Sequence, residues 1–243
     1  MVGNNVSRAV VTMAISDERI RRGMAAQMTA RAARLRSGDT PLGWKLGFGT
    51  PAAMKKLGLR FPMVGFLTGN ARLPTEGSVA LQSFTRAASE PEIAVHMGAD
   101  LGADADESTV RSAIAALGPA IEVADLNFPA DDVERILAGN IYQRNVILGP
   151  ADYSRAGARL DGLSARLFQD GDLRAETNDM EANPGNIISL VRGLADHLAE
   201  LGLKLGAGDV VITGSIVPPL IVERPCDVSF RLHPFDPIAV QFT

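Results

Sequence analysis

Hydrophobic positions along the 243-residue chain follow two periods, one helical and one of strand type, and the two are unevenly distributed. Ile20, Met24, Met28 and Leu35 recur at helical spacing in a stretch that reads as helix from about Asn5 to Arg36, with Ser16 as a candidate N-cap. Ser37-Gly38-Asp39-Thr40-Pro41 breaks that pattern. A short helix follows, with Thr50 as cap, Pro51 in its first turn and Gly58 beyond its end. From Met63 onward the pattern predicts strands at Met63–Leu67, Ser78–Leu81 and Phe84–Met97, punctuated by Gly69-Asn70 and Glu76-Gly77. Glu107–Leu117 predicts a helix, Pro119–Leu126 a strand, Asp131–Ala138 a short helix and Asn145–Leu148 a strand. Asp170-Gly171, between Leu163–Gln169 and Leu173–Thr177, is a two-residue hairpin signal. A helix opens at Asn183-Pro184, where Ile187, Ile188, Val191, Leu194, Leu198 and Leu201 make one apolar face and Gly202 marks the stop. Val210–Thr213, Val228–Leu232 and Ile238–Phe242 complete the strands.

Long helices at the N-terminus and near residue 190, with strands between and after them, argue for an α+β chain with a largely antiparallel or mixed sheet. The length suits one domain, residues 1–40 forming a helical portion and 41–243 a β-rich core. With 46% hydrophobic and 21% charged residues, long disorder is excluded. A formal net charge of −4 gives no reason to expect nucleic acid, and the basic residues of Arg19–Arg36 read as a solvated helix face. Cys226 is the single cysteine, which excludes a disulfide framework or a thiolate metal site within one chain. The apolar stretch Ala9–Ile15 is short, lacks a cleavage pattern and runs into Asp17 and Glu18, so no signal peptide is expected. No uncharged apolar run approaches the roughly 18 residues of a membrane span. A cytoplasmic location without a membrane partner is the expectation.

Several familiar sites are absent: a phosphate loop, a dinucleotide fingerprint, a Gly-x-Ser-x-Gly elbow and a His-x-x-x-His pair. Carboxylates remain. Glu90 and Glu92 share one face of a strand by alternation, and Glu122 interrupts the apolar run Pro119–Asp125. Glu-x-Glu alone reads as a solvated strand face. A carboxylate in an apolar run is costly unless partnered, and carboxylates about 4 Å apart repel by about 4 kcal/mol per pair at an effective dielectric near 20. A hard divalent cation would remove that cost. Whether the three converge is not readable from these residues.

Gly43-Trp44-Lys45-Leu46-Gly47, Thr50-Pro51, Gly65-Phe66-Leu67-Thr68, Glu90-Pro91-Glu92-Ile93-Ala94, Pro119-Ala-Ile-Glu-Val-Ala-Asp125, Asn183-Pro184 and Gly214-Ser-Ile-Val-Pro218 occur in this order. The ordered set resembles the hydratase/decarboxylase branch of the fumarylacetoacetate hydrolase superfamily, which includes 2-oxopent-4-enoate hydratases and 2-oxo-3-hexenedioate decarboxylases. The resemblance implies a mixed β-sandwich or roll and a homo-oligomer built of pentameric rings. It implies Mg²⁺ or Mn²⁺ held by Glu90, Glu92 and Glu122, and Lys45 near the substrate's 2-oxo group as proton carrier or enolate stabiliser. Ser215 and Leu67 become substrate-binding candidates, Ser215 for the carboxylate. The implied substrate is a small 2-oxo or 2-hydroxydienoate acid. Hydration of a 2-hydroxy-2,4-dienoate to a 4-hydroxy-2-oxo acid is the first reading. Decarboxylation of a 2-oxo-3-hexenedioate is the alternative. A third reading, a catalytically weak assembly subunit, is disfavoured by the retained glutamates and Lys45.

Two departures stand out. Leu67-Thr68-Gly69-Asn70 lacks the acidic residue that hydratases carry after Leu-Thr, and amides do not exchange protons at neutral pH. Glu76, Asp125 and His96 are the candidate substitutes. The second departure is Gly139-Asn140-Ile141-Tyr142-Gln143-Arg144, where relatives have Asp-Asn followed by small residues. Of the three histidines, His197 falls on the apolar helix and reads as structural. None precedes His96, which argues against the superfamily's hydrolases with their histidine-bearing N-terminal lid.

Overall fold

A computed structural model describes residues 17–243. Asn5–Ser16, the first part of the expected N-terminal helix, lies outside the described residues. Helix α1 runs over Glu18–Arg36, and its N-cap is Asp17 instead of Ser16, the Asp17 carboxylate accepting the Arg19 N–H at 2.9 Å. In chain order there follow β1 (Pro41–Gly47), α2 (Pro51–Leu57), β2 (Met63–Thr68), β3 (Arg72–Leu73), β4 (Glu76–Val79) and β5 (Ala87–Met97). Next come α3 (Glu107–Ala113), β6 (Ile114–Asp125), α4 (Val133–Ala138), β7 (Gln143–Leu148), β8 (Ser164–Gln169) and β9 (Asp172–Thr177). Helix α5 (Ile187–Glu200) and strands β10 (Val210–Ile212), β11 (Leu220–Val222), β12 (Cys226–His233) and β13 (Ile238–Phe242) complete the chain. The α+β expectation holds.

Local chemistry explains most element ends. Thr50 caps α2 through the Ala53 N–H, Pro51 occupies its first turn and Gly58 closes it at φ 70°. Helix α5 begins after Asn186, whose side chain accepts the Ser189 N–H at 3.0 Å, three residues later than Asn183-Pro184 suggested. Helix α3 stops at Ala113, not Leu117. Ile114–Leu117 are recruited as extended chain into β6, where Met97 pairs with Ile114 and Val95 with Leu117. Cross-strand burial outweighs a weak local helix preference there.

Two mixed sheets form the core. The larger has the order β2-β1-β10-β5-β6-β7-β3, with β11 pairing the start of β5, and the smaller has the order β4-β13-β12-β8-β9. The edge strands β2 and β3 of the larger sheet are separated by only Gly69–Ala71, so the sheet must curl until its edges meet. Strand alternation divides β5 between two environments. Ile93 and Val95 join Phe230, Leu232, Val240 and Phe242 of the smaller sheet and Val191 and Leu194 of α5 in the main core. The other face bears Glu90, Glu92, Ala94 and His96 and looks into the curl. There Ala94 packs with Leu67, Ala120, Val146, Leu148, Val210 and Ile212, drawn from strands across the curled sheet. This apolar plug separates the two ends of the curl. Helix α1 covers the outer face of β1 and β2, with Arg31 over Trp44 and Arg34 over Phe66 at 5.0 and 5.2 Å. No described helix is long and apolar enough to cross a membrane.

Candidate metal centre and active-site cavity

Glu90 and Glu122 occupy directly opposed positions on the antiparallel pair β5–β6, and Glu92 lies one alternation further along β5. All three side chains therefore leave the same face at one end of the curl. One carboxylate oxygen from each lies within 4.8 Å of the other two. Glu92 and Glu122 are fully buried and Glu90 is partly exposed. Like charges opposed across a strand pair destabilise a sheet. Here burial, then the Glu122 charge, pushes the Glu90 carboxyl up to about 7, with Lys45 opposing. The Glu92 carboxyl is raised well above its ordinary range by burial first, then by Glu122 and Glu90.

Partners account for some of these oxygens and leave others bare. Glu92 accepts the Gly214 N–H at 2.6 Å, and Glu122 accepts from the Lys45 ammonium. Glu92 Oε1 and Glu122 Oε2 are buried without any hydrogen-bond partner among the described residues. Buried orphaned carboxylate oxygens are expensive, and an all-oxygen donor set of this size is what a hard divalent cation takes. On this ground the three glutamates fit such an ion.

Lys45 stands on β1, two strands from β5, 2% exposed. Its Nζ donates to Glu122 Oε1 and, at 3.0 Å, to the Ile141 carbonyl. The glycines around it have steric causes. A Cβ on Gly43 would fall 1.9 Å from the Val210 carbonyl oxygen, and one on Gly65 would fall 2.8 Å from Lys45 Cγ. A Cβ on Gly47 would fall 3.0 Å from Ile141 Cγ2. Thus the Gly-x-Lys-x-Gly pattern lets β1 lie close to β10 while a long lysine stem crosses bare backbone on β2.

A cavity of about 490 Å³ opens onto this end of the curl. Lys45, Glu90, Thr213, Gly214 and Ser215 line its polar side, and Phe48, Leu126, Phe128, Ile141 and Tyr142 its apolar side. Ser215 reaches the cavity as expected, but its hydroxyl donates to the Val217 carbonyl at 2.6 Å, so its oxygen is what a ligand would meet. Leu67 is corrected: it is wholly buried in the apolar plug and does not line the cavity. Asn70 is corrected as well. Its turn follows the Thr68 end of β2, whereas the glutamates lie toward the Met63 end, as the pairings of Gly43 with Leu67 and Val210, and of Val210 with His96, require. His96 is six residues along β5 from Glu90, about 20 Å by strand rise. The Gly69-Asn70 departure thus lies far from the cavity. The proposed substitutes do not reach it either. Asp125 accepts the Thr85 and Arg86 N–H groups and pairs with Arg144, and Glu76 is exposed in the smaller sheet.

Arg86 also lines the cavity, and its guanidinium has no partner among the described residues. It was missed in the sequence although alternation puts it on the Glu90 face of the strand. Asn140–Tyr142 line or flank the cavity, in keeping with their departure from the resembled pattern.

No family model matches the chain. It is 27% identical over 220 residues to a 4-oxalocrotonate decarboxylase of Pseudomonas putida, covering 89% of this chain and 83% of that one. It is 30% identical over 195 residues to a 2-keto-4-pentenoate hydratase of Paraburkholderia phymatum, covering 78% of this chain and 73% of that one. The chain belongs to the hydratase/decarboxylase family of the fumarylacetoacetate hydrolase superfamily. The solved structure of 4-oxalocrotonate decarboxylase from Pseudomonas putida G7, complexed with magnesium and adipate, superposes with a TM-score of 0.82 at 26% identity, covering 89% of this chain and 83% of that one. Both activities named among these relatives are lyase reactions, and the chain is a lyase.

Proposed function

We propose that this lyase is a divalent-metal-dependent hydratase of a 2-hydroxy-2,4-dienoate of the 2-oxopent-4-enoate type, giving a 4-hydroxy-2-oxo acid. The observation that carries this reading is the meeting of Glu90, Glu92, Glu122 and Lys45 beside one cavity, which Glu90 and Lys45 line. Mg²⁺ or Mn²⁺ would be held by the three glutamates, and when bound it supplies charge neutralisation and Lewis-acid polarisation of a 2-oxo acid. Lys45 donates a hydrogen bond toward the substrate's 2-oxygen and favours the negative charge that develops there. The Gly214–Val217 turn, with Ser215, orients the C1 carboxylate. Ketonisation by protonation at C5 makes C4 electrophilic, and water then adds at C4. The walls formed by Phe48, Phe128 and Tyr142 receive the hydrocarbon end and exclude bulk water. A homo-oligomeric state belongs to the same proposal, and light scattering on the purified protein measures it.

One observation favours the decarboxylase reading. Arg86 gives the cavity a cation without an acidic partner among the described residues, which suits the second carboxylate of a 2-oxo-3-hexenedioate. Loss of CO₂ also needs no water-activating carboxylate, and among the described residues the only carboxylate lining the cavity is Glu90. The deciding assay gives the Mg²⁺-loaded protein 2-hydroxypenta-2,4-dienoate and 2-oxo-3-hexenedioate in turn, following loss of dienol absorbance and release of CO₂. Faster turnover of the first supports hydration. Preferential CO₂ release overturns it in favour of decarboxylation, and turnover of neither overturns both.

A further inference from the structure

Three consecutive residues that are not glycine, Asn140, Ile141 and Tyr142, hold φ of 58°, 53° and 64° between α4 and β7. The left-handed region is uncommon for any L residue, and a β-branched side chain there is an outlier that persists only where its surroundings over-determine it. The surroundings here do so. Asn140 grips the β2 backbone twice, accepting the Phe66 N–H at 2.8 Å and donating to the Phe66 carbonyl at 2.9 Å. The Ile141 N–H donates to the Ile136 carbonyl at 2.7 Å, and the Tyr142 carbonyl accepts the Asp125 N–H at 2.8 Å. The Tyr142 hydroxyl donates to the Phe128 carbonyl at 3.0 Å. What the turn achieves is the direction of one peptide group: the Ile141 carbonyl faces Lys45 Nζ at 3.0 Å.

We propose that the Asn140–Tyr142 turn is a positioning device for Lys45 and that Asn140 is its positioning residue. This rests on the reading that Lys45 acts on the substrate. An ammonium group has three N–H donors. Glu122 takes one and the Ile141 carbonyl a second, so the third is left for a ligand oxygen in the cavity, in a direction set by the other two. Gly65 independently reports the same arrangement, because a Cβ there would lie 2.8 Å from Lys45 Cγ and 2.9 Å from Asn140 Oδ1. Strand β2 is bare where the lysine stem and the asparagine amide rest on it. With a single acceptor, the Lys45 head group would sample several rotamers and deliver its third donor less often.

The test combines kinetics with chemical labelling. Asn140→Ala is expected to lower kcat on 2-hydroxypenta-2,4-dienoate about 10- to 100-fold, with KM and calorimetric Mg²⁺ affinity changed less than about threefold. Added to Lys45→Ala, it should cause no further loss, since both act through one ammonium group. In the metal-free protein, acetic anhydride labelling of Lys45, read by peptide mass spectrometry, should be at least about tenfold faster in Asn140→Ala, with the exposed Lys55 and Lys56 as internal standards. Asn140→Gly, which suits the observed φ of 58°, guards against a folding failure: its circular dichroism should match the wild type and its kcat should still fall. Losses in Asn140→Ala and Lys45→Ala that add, or unchanged Lys45 labelling, would overturn the positioning role. Full activity in Lys45→Ala overturns the reading beneath it.

Discussion

Lys45 and Glu122 form a buried pair whose members depend on each other, and the consequences of breaking it differ with metal content. Removing one partner of such a pair leaves an uncompensated charge in the interior, at a cost of about 3–5 kcal/mol. Lys45→Met should therefore destabilise the metal-free protein by about that amount in urea unfolding with chelator present, and by less with saturating Mg²⁺. Its kcat should fall by about 10²–10³, as expected for loss of one donor to developing charge. Equal destabilisation with and without metal would separate Lys45 from the carboxylate cluster. Glu122→Gln keeps the shape but removes the charge, and Mg²⁺ affinity measured by calorimetry should drop at least about tenfold. At this scale the sequence was informative where parity governs. Glu90, Glu92 and Arg86 share a strand face by simple alternation, while Leu67, read from a motif, proved to be a packing residue because its place in the curl was decided by strands far away in sequence.

Helix α5 carries the clearest pH dependence among the elements. His197 lies on its buried face, 4% exposed, with neither ring nitrogen hydrogen-bonded among the described residues, and burial holds its pKa near 4 against an ordinary 6.5. The folded state thus refuses a proton that the unfolded chain accepts. Its stability contribution is complete above pH 6.5 and is lost as pH falls from 6.5 toward 4, by roughly 3 kcal/mol in all. His197→Leu should flatten that part of the curve of melting temperature against pH; an unchanged acid limb would show that other groups dominate. The amphipathic period of α5 was visible in the sequence, but its start was not, since Asn186 and not Asn183 makes the capping bond. Helix α3 lost its last turn for a different reason: Ile114–Leu117 gain more by pairing with β5 than by remaining helical. Gly65→Ala tests the strand side of the site. Its added Cβ should displace the Lys45 stem and lower kcat while the fold, monitored by circular dichroism, remains.

For the whole molecule, a cation that binds only the folded chain must stabilise it by linkage. Mg²⁺ at about 100 times its Kd should add about 2.7 kcal/mol to the unfolding free energy, and chelation should remove both that increment and the activity. A melting temperature indifferent to Mg²⁺, with full turnover in excess chelator, would refute the metal centre. Amino-acid order by itself determined the α+β class, the shared face of Glu90 and Glu92, the apolar stripe of α5 and the glycine spacing around Lys45, because each depends on a local period or on backbone sterics. It also carried the ordered motifs by which the family was resembled. Tertiary structure decided the rest. The register of β5 against β6 sets Glu122 opposite Glu90, the curl joining β2 to β3 sends Asn70 and His96 to the far end, and the left-handed turn at Asn140 aims a carbonyl at Lys45. Each of these joins residues tens of positions apart, and such contacts arise only when the strands pair and the sheet closes over its apolar plug.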